Sequence, residues 1–197
     1  MSESERIRSF VAIDVAPPVL KALQGLHAEL ARHKADVRWV RPEGLHATLK
    51  FLGYVEAPRL EKVHVALAAA VQTHATLRVR VQGLGAFPTL RRPRVLWVGL
   101  EGAGLAELAA GVDAALEPLG FERERRGFTP HITLGRVNSL RGWPQLEADF
   151  KAHLADDFGD SDVSAVTIYQ STLRRDGAVY SPLWTIPLGR HKERSIA

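Results

Sequence analysis

The segments His46-Ala47-Thr48-Leu49 and His131-Ile132-Thr133-Leu134 repeat one short pattern 85 residues apart, and each stands in a run of β-forming residues. Residues i and i+2 of a β-strand point to the same face of the sheet, so each copy places an imidazole beside a hydroxyl. A fold that brings the copies together would surround one cleft with two histidines and two threonines. We infer that such a cleft suits acid and base chemistry on a phosphodiester.

The composition is that of an ordinary globular protein, since 46% of the 197 residues are hydrophobic and 24% are charged. Cysteine is absent, which excludes disulfides, thiolate metal sites and thiol nucleophiles. The N-terminus carries acidic residues before a short apolar run, unlike a signal peptide, and no apolar stretch approaches the roughly 18 residues that a membrane span needs. We therefore expect a cytoplasmic protein without membrane contact.

The charge balance is basic, with a formal net charge of +4 and a pI near 9.7. This balance suits a polyanionic partner such as RNA, although many arginine-rich proteins are mildly basic without binding nucleic acid. Local basic clusters lie at residues 91–94, 123–126 and 174–175. The basic tail at residues 189–197 is expected to be a solvated end.

Hydrophobic periodicity predicts the same order of elements in both halves of the chain. The first half is predicted as strand 7–15, helix 17–34, strands 37–40 and 45–54, helix 58–73 and strand 77–81. The second half is predicted as strand 94–100, helix 105–119, strands 121–125 and 129–137, helix 144–154 and strand 163–173. An additional strand at 179–188 is predicted to pair with its predecessor through the Asp176-Gly177 hairpin signal.

We therefore predict an α+β fold that is bilobal, with two pseudo-symmetric β-α-β-β-α-β lobes and largely antiparallel sheets around a central cleft. Residues 1–197 would form a single domain whose lobes comprise approximately residues 1–87 and 94–188. The proline-containing segment 88–93 is the predicted linker between them.

Two histidines suit in-line displacement at phosphorus, because an imidazole can be neutral or protonated near pH 7. One would take a proton from the attacking oxygen while the other gives a proton to the leaving oxygen. A threonine hydroxyl on the same face could hold a phosphate oxygen, so no metal is required. The remaining histidines are predicted to be surface or packing residues: His27, His33, His64, His74, His153 and His191.

Residues 39–53 and 127–136 resemble the two signature segments of the 2H phosphoesterase superfamily, specifically of the bacterial and archaeal RNA 2',3'-cyclic phosphodiesterases, also called 2'-5' RNA ligases. Segments 8–13, 94–99 and 169–173 resemble further strands of that group, so the resemblance spans nearly the whole chain. Two positions depart from its pattern. Gln170 stands where an acidic residue is common, and Gly44 stands where a larger polar residue is common.

The resemblance implies that the motifs face each other in a cleft and that a 2',3'-cyclic phosphate at an RNA end is opened to a 2'-phosphate without a cofactor or metal. His46 matches the proton donor to the 3' leaving oxygen, and His131 matches the acceptor that activates water. Thr48 and Thr133 match the phosphate-holding hydroxyls. Arg136 matches a basic position close to the second motif and is a candidate substrate contact.

The expected partners are RNA ends and, by the same resemblance, tRNA halves, which some members join by reverse-sense 2'-5' ligation. We expect the protein to act as a monomer. Aromatic candidates for stacking on a terminal base are Phe10, Phe51, Phe128 and Tyr169, with core packing as the alternative for each.

Three other functions stay open on the sequence. The chain could be a 2H phosphodiesterase of small cyclic nucleotide phosphates or 2'-5' oligonucleotides, or a noncatalytic protein that binds RNA ends. A metal-dependent phosphodiesterase with His46 and His131 as ligands is disfavoured, because neither motif contains a carboxylate.

Overall fold

Four α-helices and nine strands form within residues 6–125, 127–174 and 177–189, the part of the chain that this computed structural model describes. The helices are α1 (Pro17–Ala31), α2 (Ala57–Val71), α3 (Leu105–Leu116) and α4 (Trp143–Ala152). The strands are β1 (Arg6–Ile13), β2 (Val37–Trp39), β3 (Ala47–Glu56), β4 (Leu77–Phe87), β5 (Val95–Glu101), β6 (His131–Val137), β7 (Asp157–Val163), β8 (Ala165–Arg174) and β9 (Gly177–Pro187). The predicted α+β class is confirmed.

The helix boundaries follow the local chemistry of the sequence. Proline occupies the first turn of α1, α2 and α4, where its missing N–H costs no hydrogen bond. A short 3-10 turn extends α3 to Leu119, and Gly120 then ends it with φ +80°, a left-handed conformation that glycine adopts without strain. Each helix buries one apolar stripe, as the periodicity predicts.

All nine strands belong to one sheet with the order β7-β4-β5-β6-β3-β1-β8-β9, and β2 pairs with β6. Every pairing between these named strands is antiparallel, as predicted. The order is symmetric about the junction of β6 and β3, because β5 and β1 follow on either side, then β4 and β8, then β7 and β9. The motif strands β3 and β6 therefore occupy equivalent central positions.

Strand pairing crosses the predicted boundary between residues 1–87 and 94–188. Strand β4, from the first half of the chain, pairs with β5 and β7 of the second half. Strand β8, from the second half, pairs with β1 of the first half. Strand β2 likewise pairs with β6, and β9 follows β8, so each half of the sequence contributes two strands to the other half of the sheet.

The predicted strand at 121–125 is wrong, because these residues form no strand. Their backbone groups bond to side chains instead of to a neighbouring strand. The Glu122 carbonyl accepts a hydrogen bond from the Lys50 ammonium, and the Glu124 N–H donates to Asp113 Oδ2 at 2.8 Å. Side-chain bonds of this kind satisfy the backbone as well as a strand ladder would.

Strand β7 was not predicted, because its sequence Asp-Phe-Gly-Asp-Ser-Asp-Val lacks the composition of a strand. It forms because its acidic residues face the basic residues of β4. Asp160 accepts hydrogen bonds from both Arg78 and Arg80, and Asp157 pairs with Arg80. Opposite charges on adjacent strands stabilise the pair, and they protect an edge of the sheet from association.

Several sequence predictions fall on residues outside the described ranges. These are the tail at 190–197 with His191, Arg126 of one basic cluster, and Arg175 and Asp176 of the predicted hairpin. The hairpin's flanking strands do pair, from Arg174 opposite Gly177 onward. No helix within the described ranges has the length and apolar character needed to cross a membrane.

Candidate active site

The two His-x-Thr motifs meet at the only residue pair that joins β3 to β6 in the described chain, Ala47 opposite Ile132. Both residues of this pair are buried, so the residues on either side of them point to the opposite face of the sheet. Continuing the antiparallel register sets His46 across from Thr133 and Thr48 across from His131. This single residue pair thus sets the two motifs on the same face of the sheet.

A β-bulge follows the threonine of each motif at the same place. Thr48 pairs with Ala12 and the next partnered residue is Lys50, so Leu49 is the extra residue. Thr133 pairs with Trp97 and the next partnered residue is Gly135, so Leu134 is extra. Bulges of this kind reverse the alternation of side chains along the strand.

The bulges decide which later residues reach the cleft. Regular alternation would place the residue four positions after each histidine on the cleft face and the residue five positions after it on the other face. The reversal instead brings Phe51 and Arg136 into the cleft, and both line it. It also turns Lys50 away from the cleft and toward α3, where its ammonium pairs with the Asp113 carboxylate.

The cleft has a volume of about 270 Å³ and is lined by His46, Thr48 and Thr133 together with basic and aromatic residues. His131 shares the face of the sheet with them but is not among the residues that line this cavity. Its arginines come from five separate places in the chain: Arg8, Arg38, Arg41, Arg136 and Arg174. None of the described residues that line it is an aspartate or glutamate. The cleft is therefore suited to an anion rather than to a divalent metal.

Both histidine rings are oriented in the same way. Nδ1 of His46 lies 2.7 Å from the Gly44 carbonyl oxygen, and Nδ1 of His131 lies 2.7 Å from the Thr129 carbonyl oxygen. Because a carbonyl only accepts, Nδ1 must carry the proton and donate it in both rings. Nε2 of each ring is then the nitrogen that can exchange a proton with a substrate.

Aromatic side chains surround each imidazole. The ring of Phe10 stacks on His46 at 4.7 Å between centroids, and Tyr180 meets it edge-on at 5.0 Å. Phe87 meets His131 edge-on at 5.0 Å, and Trp97 lies 6.3 Å from it. This packing orients both rings and shields part of each from water, while both residues stay partly exposed.

Glycines allow two of these aromatic rings to lie where they do. A Cβ atom at Gly44 would stand 2.8 Å from the Tyr180 ring, and one at Gly85 would stand 2.2 Å from the Trp97 indole. Gly44 was singled out in the sequence as a departure from the family pattern. The structure gives it a physical role, because only glycine leaves room for Tyr180 beside His46.

Burial lowers the pKa of both His46 and His131 below the ordinary value of 6.5. Nearby charges have smaller effects on the pKa values, and these effects have opposite signs at the two histidines. The Asp14 carboxylate raises the pKa of His46, whereas the Arg136 guanidinium lowers that of His131 further. Burial lowers both pKa values, and the nearby charges are the feature in which the two surroundings differ.

The other predicted contact residues have different surroundings. Phe51 is 61% exposed at the cleft and offers a ring face to a ligand, whereas Phe10 is buried between His46 and Tyr169. The Tyr169 hydroxyl donates to Asp14 Oδ1 at 2.8 Å, and the residue is not among those lining the cleft. Phe128 packs against the hydrophobic core and does not line the cleft either.

Several cleft residues were missed as site candidates by sequence reasoning: Arg8, Arg38, Arg41, Arg174 and Tyr180. Arg38 offered one usable signal, since it stands in a short strand just before the first motif. It lies opposite Arg136 across β2 and β6, and both residues line the cleft. Arg8 donates from Nη1 to Ser171 Oγ at 2.6 Å.

The remaining described histidines have the structural surroundings expected of them. His27 is buried edge-on against Trp39, and His64 stacks on Trp184. His33, just after α1, contacts Asp149 of α4, and His153, just after α4, contacts both Glu29 of α1 and the nearby Asp156.

Comparison with known proteins places this arrangement in a family. Residues 13–97 and 98–180 each match the model of the LigT-like phosphoesterases. This chain belongs to that family. The RNA 2',3'-cyclic phosphodiesterase of Archaeoglobus fulgidus is 34% identical over 185 residues, covering 90% of this chain and 98% of the relative. The enzyme of the same name from Aeropyrum pernix is 32% identical over 83% of this chain and 93% of the relative.

Solved structures agree with the family assignment. The crystal structure of TT0787 of Thermus thermophilus superposes with a TM-score of 0.78 at 28% identity, covering 94% of this chain and 100% of that one. The crystal structure of Escherichia coli LigT complexed with 3'-AMP superposes with a TM-score of 0.70 at 27% identity, covering 92% and 99% of the two chains. The LigT-like fold is therefore shared along nearly the whole length of this chain.

The glycine beneath Trp97 provides a stability prediction. We expect Gly85→Ala to lower the free energy of unfolding by about 1–3 kcal/mol, because the methyl group overpacks a site bounded by the indole. The matched control is Gly25→Ala in α1, where a Cβ meets nothing within 4 Å and alanine is the better helix former. Urea denaturation of the three proteins measures both effects, and equal stability of Gly85→Ala and the wild type would contradict the packing argument.

Proposed function

We propose that this protein hydrolyses RNA 2',3'-cyclic phosphate ends to 2'-phosphates by metal-independent catalysis with two histidines. The observation that carries the proposal is the pair of His-x-Thr motifs set on one face around the Ala47 and Ile132 pair. The name carried by relatives at 34% and 32% identity supports the reaction class. The acid-free, arginine-rich lining of the cleft supports an anionic substrate held without a metal.

In this mechanism His131 is the general base and His46 is the general acid. Nε2 of His131 takes a proton from water as the water oxygen bonds to phosphorus, and the bond from phosphorus to O3' breaks. Nε2 of His46 gives its proton to the departing O3', so that one water is added across the bond. Thr48 and Thr133 donate hydrogen bonds to the non-bridging oxygens.

The assignment of acid and base rests on the opposed charges near the two rings. A general acid must start protonated, and the carboxylate of Asp14 favours the protonated form of His46. A general base must start neutral, and the guanidinium of Arg136 favours the neutral form of His131. These opposed charge effects support the roles proposed for the two histidines.

The substrate is proposed to be an RNA end rather than a small cyclic nucleotide, because the arginines of the cleft exceed what one phosphate can use. Exposed Phe51 would stack on a base near that end. The same site would catalyse 2'-5' ligation when a 5'-hydroxyl replaces water, with tRNA halves as substrates of that reaction. We further propose that the protein acts as a monomer in the cytoplasm.

The reaction is tested with a short RNA that ends in a 2',3'-cyclic phosphate, incubated with EDTA present. We expect a 2'-phosphate product, identified by mass and by which hydroxyl carries the phosphate. His46→Ala and His131→Ala should each lower turnover by about 10²-fold or more, since each removes a positioned proton donor or acceptor. His64→Ala, which changes a histidine stacked on Trp184, is the control. Loss of activity in EDTA would exclude the mechanism. A loss of turnover of only a few-fold in both His46→Ala and His131→Ala would exclude it as well.

The pH dependence of kcat/KM tests the assignment of roles. Activity should fall at high pH as His46 loses its proton and at low pH as His131 gains one. Asp14→Asn removes a charge that raises the pKa of His46, so the alkaline limb should move to lower pH. Arg136→Gln removes a charge that lowers the pKa of His131, so the acid limb should move to higher pH. If Asp14→Asn moved the acid limb and Arg136→Gln moved the alkaline limb instead, the roles of the two histidines would be reversed.

Salt dependence distinguishes an RNA chain from a small nucleotide. Arg38→Ala should reduce the slope of log affinity against log salt by about 1 for an RNA oligonucleotide, because one fewer phosphate is neutralised. Lys21→Ala, an exposed cation on α1, should leave that slope unchanged. Equal slopes for the oligonucleotide and for a mononucleotide 2',3'-cyclic phosphate would favour the small-nucleotide alternative.

A further inference from the structure

A buried ion pair behind the cleft connects the first motif strand to the approach of the second motif. The Lys50 side chain is 8% exposed, and its ammonium pairs with Asp113 of α3. The same ammonium donates to the Glu122 carbonyl at 2.6 Å. Asp113 in turn accepts the Glu124 N–H at Oδ2, 2.8 Å away. We call Lys50, Asp113 and the backbone of Glu122 and Glu124 the Lys50 network.

The Lys50 network occupies the position beside β3 that corresponds to the position of β2 beside β6. Lys50 follows His46 by four residues, and Gly135 follows His131 by four. Gly135 pairs with Trp39 of β2, and a Cβ atom there would stand 2.7 Å from Val37. Residues 121–125 occupy the place of β2 in the order of elements but form no strand. Side-chain bonds from Lys50 and Asp113 therefore replace the ladder that fixes β2.

The residues bonded by the network lie a few positions before an orienting group of His131 in the sequence. The chain runs from Glu124 to Thr129, whose carbonyl oxygen accepts the Nδ1 proton of His131 at 2.7 Å. Further anchors lie on each side of the network. Arg59 lies 4.4 Å over the Phe121 ring, and the Pro130 carbonyl accepts the Leu100 N–H at 3.2 Å. The described residues on either side of Arg126 thus have anchors at 121–124 and at 130.

We propose that Lys50 is a positioning residue for His131, acting through Asp113 and the backbone of Glu122 and Glu124. It lies on the motif strand of His46 and points away from the cleft, so it links the placement of the two histidines without touching substrate. This inference rests on the proposed function, because it assigns His131 the role of the base. Loss of the network should affect proton transfer more than substrate binding, which depends on the arginines and threonines of the cleft.

The decisive comparison uses an apolar replacement of the whole pair. Lys50→Met alone leaves the Asp113 carboxylate buried without its partner and should lower the melting temperature. The double variant Lys50→Met with Asp113→Leu replaces the ion pair by apolar side chains, which often restores stability. It cannot restore the bonds to Glu122 and Glu124. We expect its kcat to stay about tenfold or more below the wild-type value, with KM changed by less than about twofold.

Two further variants complete the set. Lys50→Arg keeps a cation that can bond both partners and should recover part of kcat. Lys62→Met changes an exposed lysine of α2 and should leave every readout unchanged. Recovery of kcat together with stability in the double variant would overturn the proposal, because the network would then be only structural.

A readout independent of turnover separates this proposal from the proposed function. In the double variant, the imidazole NMR signals of His131 should shift while those of His46 do not, and the Glu124 amide should exchange with solvent faster. Unchanged His131 signals would reject the positioning role even if turnover fell. Absence of activity in the wild type would reject the proposed function, and the NMR comparison would still decide the role of Lys50.

Discussion

The register of one residue pair determines the rest of the site. Ala47 and Ile132 are buried opposite each other where β3 meets β6, and each follows a histidine directly. A shift of one residue in either strand would carry its histidine and threonine to the other face of the sheet. Burial of the two apolar side chains opposes that shift. Hydrophobic packing on one face of the junction therefore fixes the positions of the polar groups on the other.

The exchange of β4 and β8 between the halves makes this junction rigid. Strand β1 lies between β3 and β8, and β5 lies between β6 and β4. Each motif strand is thus braced by a pair of strands that includes one from the other half of the sequence. The halves cannot separate without breaking those ladders as well as the single pair at the centre. Such a scaffold suits catalysis that depends on preorganised donors rather than on closure around the substrate.

Periodicity in the sequence was sufficient for the helices, most of the strands and the doubled order, because each of these buries an apolar face of its own. It failed where tertiary partners satisfy the backbone or the charges. Residues 121–125 alternate as a strand would but bond to Lys50 and Asp113, and β7 has the composition of a loop but pairs with the arginines of β4. The motif pattern identified His46 and His131, whereas Arg8 and Arg174 reach the cleft only through strand pairings distant in sequence.

The duplicated scaffold supplies two equivalent histidines, yet the chemistry requires them to differ. Their rings share the same hydrogen bond at Nδ1, the same following bulge and a similar aromatic surrounding, so the motifs themselves give no difference. The difference lies in neighbours that break the symmetry. A carboxylate acts on His46, and a guanidinium acts on His131. The two motifs are therefore alike in geometry, and the charged neighbours are where a difference in protonation between donor and acceptor would have to arise.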